Sequence, residues 1–186
     1  MSVQYKTLED IEQLPIDRIP MIALSNGFTS LFGFLIGLLT KDFWSHFMWL
    51  VSPTEFASQW FWFKLFPVRH FNKHSIKFFY NPLWTSRERA LLKAAIAAEL
   101  SRPRWQTRYD VIGVIGEAFG WDWMNRKRLD FCSEKISILS MVDKSCRAWL
   151  KDSPSPTPEQ CNTWLKQQKN PDGSPKYLVW GRVQPG

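Results

Sequence analysis

Between Met21 and Tyr80 the apolar residues come in short dense runs broken by turn formers, whereas after Trp84 they recur every third or fourth position. The first regime belongs to strands and the second to helices. Met21 to Leu24 predicts a short strand, and Asn26-Gly27 a turn into a helix over about 28–40. "SHFMWLV" (45–51) predicts a strand buried on both faces, which Ser52-Pro53 turns towards a second extended run, "EFASQ" (55–59). "FWFKLF" (61–66) and "SIKFFY" (75–80) are aromatic-rich and complete a set of strands joined by local connections. Such connections make an antiparallel sheet.

The helical regime opens at Thr85-Ser86-Arg87-Glu88, a capping box in which a Thr side chain and a Glu three residues on satisfy each other's backbone amides. Leu91, Ala94, Ala95 and Ala98 then recur on one face of 86–101, and Pro103 ends the helix. "YDVIGVIGEAFG" (109–120) predicts a looser helical segment, weakened by Gly113, Gly116 and Gly120. Ile136, Leu139, Val142, Cys146 and Trp149 form one core-facing stripe on a helix that begins at Cys132. The segment 152–158 is a surface connection, and Thr157-Pro158-Glu159-Gln160 caps a last helix running to about Lys169. "KYLVW" (176–180) predicts a terminal strand. The expected fold is α+β, a small antiparallel sheet packed against helices. A single domain spans 1–186, with its core over about 20–170, an N-terminal extension over 1–19, and a C-terminal strand and tail over 171–186.

Composition adds constraints. The chain is 45% hydrophobic with 11 Trp and 14 Phe, far too apolar for disorder. Its longest greasy run, Ser30 to Thr40, is 11 residues, against the roughly 20 a spanning helix needs. The start is polar and acidic, without a basic-then-apolar secretory signal, so a cytoplasmic location is expected, with export by another route left open. Three cysteines, an odd number with no CxxC, argue against a disulfide framework and a zinc site, so no metal or other cofactor is expected. The formal charge of +7 favours anionic partners. Lys64, Arg69, Lys73 and Lys77 interleave with Trp60, Trp62, Phe71 and Tyr80. That mixture could follow a phosphate backbone, but an ordinary basic surface over a hydrophobic sheet is the plainer reading.

Two residues stand out chemically. His46 opens an apolar strand, at a boundary near the core, while His70 and His74 lie in a basic stretch expected to be solvated. Cys132 stands where a helix begins, directly before the capping pair Ser133-Glu134, and a helix N-terminus favours a thiolate. Cys146 reads as core, and Cys161 as a first-turn residue away from the sheet. A Cys–His pair of this kind is the layout of a thiol hydrolase.

The order of "WSHFMWLV" before the sheet and "YDVIGVIG…DFCSEKI" after it resembles the circularly permuted papain-like hydrolases, the YiiX-type branch of the NlpC-like endopeptidase superfamily. The likeness runs over about residues 20–170. It implies a permuted papain-like fold with Cys132 as nucleophile and His46 as general base and acid. It also implies a third polar residue that orients the imidazole, with Gln59 at that position and Glu55 as the alternative. Tyr109 of the "YD" motif would face the site. The implied activity is cleavage of an amide or ester through an acyl-enzyme. The substrate would be a peptide of cell-wall type, with an acyl ester, as in lipid-acting branches, or a catalytically silent binding module as the alternatives. Met48, two after the histidine, stands where a small residue is common, and the aromatic strands imply a narrower, greasier cleft.

Overall fold

A computed structural model describes residues 5–26, 44, 46–59, 62–106, 132–154 and 156–183. The helix expected over 28–40 and the segment 109–120 lie outside them, as do Ser45, Trp60, Phe61 and Tyr109. The fold is α+β. Seven strands form one sheet in the order β1-β7-β6-β2-β3-β4-β5. They are β1 (Tyr5–Lys6), β2 (Met21–Asn26), β3 (His46–Ser52), β4 (Glu55–Gln59), β5 (Phe63–Pro67), β6 (Ser75–Tyr80) and β7 (Leu178–Val183). All neighbours are antiparallel except the two-residue β1, which adds in parallel to β7.

The strands segregate their side chains by the two-residue period of an extended chain. One face carries Ile22, Leu24, Phe47, Trp49, Ala57 and Phe79, and is covered by helices α2 (Ser86–Ser101), α3 (Lys144–Asp152) and α4 (Pro158–Gln167) and by a 3-10 helix, Cys132–Met141. The other carries Ala23, Met48, Leu50, Phe56, Phe66 and Phe78, and packs against α1 (Leu8–Glu12) and the 3-10 turn Val68–Phe71. Residues 5–19, read from the sequence as an extension, are therefore built in. Ile11, Leu14 and Ile19 are buried, and Thr7 caps α1 through a reciprocal box with Asp10.

Local chemistry explains the matches and the departures. Thr85 with Glu88 and Thr157 with Gln160 form the anticipated capping boxes. On α2, however, Leu92 and Ile96 are the buried residues and Leu91 is exposed, so the inward stripe lies one position on from the expected one. The stripe from Ile136 to Trp149 does face the core but belongs to two elements. Asp143 breaks it, because its carboxylate accepts the amides of Ser145 and Cys146 and so starts α3 afresh. Cys161 is fully buried in the helix-covered core over the sheet, not away from it, because α4 lies across that face. No helix among the described residues is long and apolar enough to cross a membrane.

Candidate functional site

The hairpin β3–β4 decides which side chains meet His46. Ser52 pairs with Glu55 across the two-residue turn Pro53-Thr54. A regular ladder continued from that pair would set Met48 opposite Gln59, and Gln59 would share a face with His46. The register instead shifts between Leu50 and Ser52, so that Met48 pairs with Ser58. One extra residue in a bulge exchanges the faces of every residue beyond it. Ser58 is therefore on the His46 face, and its Oγ lies 2.6 Å from His46 Nε2. Gln59 is fully buried on the opposite face, with Ala57 and Phe63. The structure does not bring Gln59 to His46. Nor does it bring Glu55, which stands six strand positions away, about 20 Å, and accepts a hydrogen bond from Ser52 at 3.4 Å.

Two further polar residues and one apolar residue share the His46 environment. Ser25 is its direct partner on β2, fully buried, and its hydroxyl finds no hydrogen-bond partner among the described residues. Met48, also fully buried, follows along the same face. His74, expected to be solvated, is buried just before β6 and close enough to act electrostatically on His46. Burial is the main force that holds the His46 imidazole down to about 3, and His74 adds to it. Burial lowers His74 as well, with a contribution from His70, while a bond to the Asn26 backbone opposes. Both rings are thus neutral around pH 7.

The 3-10 helix headed by Cys132 lies on the other face of the sheet, tied to it where Trp49 Nε1 donates to the Lys135 carbonyl at 3.0 Å. The side chains of residues 132–134 lie outside the described residues. Along this element Lys135 is buried, its ammonium 2.9 Å from Glu99 and over the ring of Phe63. Cys146 is inert by environment: burial pushes its thiol up to about 12, and Asp143 adds to the effect. Of the basic stretch, Arg69 pairs with Glu12 at 2.9 Å and Lys77 is buried on the helical face, donating to Asn162 at 3.0 Å. Among the described residues these basic side chains accordingly do not share one exposed surface. Among the described residues no group of three or more His, Cys, Asp or Glu converges as a metal site.

Sequence reasoning missed Ser58, Ser25 and His74. The strand period would have found Ser25 and, with the bulge known, Ser58. Nothing in the basic surroundings of His74 signals that it folds inward. No protein-family model matches the chain, and no curated protein matches it.

Proposed function

We propose that the chain is a cysteine hydrolase of permuted papain-like type that cleaves an amide or ester through an acyl-enzyme. The observation that supports it is the bond between His46 Nε2 and Ser58. An imidazole that gives its Nε2 proton to a fixed hydroxyl keeps Nδ1 as a proton acceptor, the state a thiol partner requires. In this reading Ser58 takes the positioning role that the resemblance assigns to Gln59 or Glu55. The Cys132 thiol passes its proton to Nδ1, and the thiolate adds to the substrate carbonyl. The imidazolium then protonates the leaving amine or alcohol, and water releases the acyl group. The substrate class, amide bonds of cell-wall-type peptides, comes from the resemblance.

A second reading, a catalytically silent scaffold, is favoured by a specific feature. Strand alternation turns His46 to the face opposite the 3-10 helix, and burial is the main cause that keeps its ring neutral. The two readings part in one experiment. The whole protein is treated with limiting iodoacetamide across a pH series, and the labelled residue is mapped by mass spectrometry. Cys146 and Cys161, both fully buried, serve as internal references. Labelling of Cys132 that slows in His46→Ala and shifts its pH profile in Ser58→Ala supports the hydrolase. Labelling at a rate indifferent to His46 overturns it in favour of the scaffold.

A further inference from the structure

Helices α3 and α4 meet over the sheet so that Trp149 and Trp164 stack, ring centroids 5.0 Å apart and planes 14° from parallel. Trp164 is buried and its ring also meets Tyr177, centroids 5.9 Å apart. The Tyr177 hydroxyl in turn donates to buried Asp143, so the stack is anchored in the core. Trp149 is the half-exposed member. Along the pair runs an open groove of about 530 Å³, to which α4 presents Glu159, Gln160, Thr163 and Gln167. Three of these, Gln160, Thr163 and Gln167, are exposed at spacings of three and four, one side of the helix.

The lining is selective in what it omits. In a chain of net charge +7, no Lys, Arg or His among the described residues borders the groove. A phosphate or carboxylate ligand would find no counter-charge there. A flat indole face suits an apolar C–H surface. The amides and hydroxyls around it both donate and accept, and a carboxylate accepts only. Molecules with an apolar face and a rim of hydroxyls that need both kinds of partner are sugars. The volume lies within the range of small-ligand sites, roughly 300–1,000 Å³.

We propose that the groove between α3 and α4 binds a short neutral oligosaccharide, stacked on Trp149 and hydrogen-bonded by Gln160, Thr163, Gln167 and Glu159. The site does not depend on thiol chemistry, and its test reads binding alone. The full chain is titrated with chitotetraose, cellotetraose and maltotetraose by calorimetry and by saturation-transfer NMR. Binding of at least one is expected, with affinity falling about tenfold or more in Trp149→Ala, as for a ring that anchors an interface. The pair Thr163→Ala and Gln167→Ala alters exposed positions and should weaken binding with an unchanged melting temperature. His46→Ala and Cys132→Ala should bind as the native chain does. Failure of all three sugars to bind at millimolar concentration, or binding that survives both sets of groove variants, overturns the proposal.

Discussion

On the helical face of the sheet Asp143 is buried among Lys176, Ser145 and Tyr177, whereas on the opposite face half-buried His46 lies against buried Ser58 and Ser25, with buried His74 nearby. Burial alone would raise the Asp143 carboxyl, yet the hydrogen bonds from Lys176, Ser145 and Tyr177 outweigh it and hold it below the usual carboxylate range. Glu99 follows the same pattern, with Lys135 and Arg102 overcoming its burial. On the opposite face desolvation prevails at both imidazoles, with His74 adding to it at His46 and His70 at His74, and the rings lose their charge. A buried ionisable group keeps its charge where hydrogen bonds and opposite charges outweigh desolvation, and gives it up where desolvation wins.

The sharpest way to break this contrast is Asp143→Ala. It strands the Lys176 ammonium and the buried Tyr177 hydroxyl and removes the N-cap of α3. A loss of roughly 3–5 kcal/mol is expected, the cost of opening a buried pair, read as a large fall in the denaturant midpoint. Retention of native stability would show that the network carries no weight.

Next comes the pH dependence of the other face. His46 titrates near 3 when folded, against about 6.5 when unfolded. Between those values the unfolded chain binds a proton that the folded chain refuses, so stability is full above pH 6.5 and is lost as pH falls towards 3. Over the whole window the loss is of the order of several kcal/mol. Comparing denaturant midpoints of the native chain and His46→Gln between pH 7 and 4 should show a shallower acid slope in the variant. Parallel slopes would place the acid sensitivity elsewhere.

The smallest effect is expected at Arg69, whose ion pair with Glu12 is exposed. Such pairs gain little in water and are screened by salt. Arg69→Ala should leave the melting temperature within measurement scatter. A clear drop would mean that this surface contact, joining α1 to the turn Val68–Phe71, fixes the N-terminal segment.

The strands that carry His46 and its neighbours were readable in advance, and the pairing between them was not, for a definite reason. His46 at a strand start and β4 over Glu55–Gln59 follow from alternation and turn residues. The partner of His46 did not, because a bulge is a property of the paired strands and changes parity without changing composition. His74 was misjudged for a similar reason: its neighbours in sequence are basic, but its neighbours in space are Phe71 and the His46 face.

By itself the sequence determined the local elements: strands where apolar runs are short and dense, helices where Thr85 and Thr157 supply caps, and an end to α2 ahead of Pro103. Those outcomes depend on interactions within a few residues, which any reader of the chain can sum. Only the tertiary structure decided that residues 5–19 close the second core, that Cys161 packs over the sheet, and that Ser58 rather than Gln59 meets His46. Each of those depends on how distant segments register against one another, and a shift of a single residue there costs nothing locally yet exchanges the two faces of a strand.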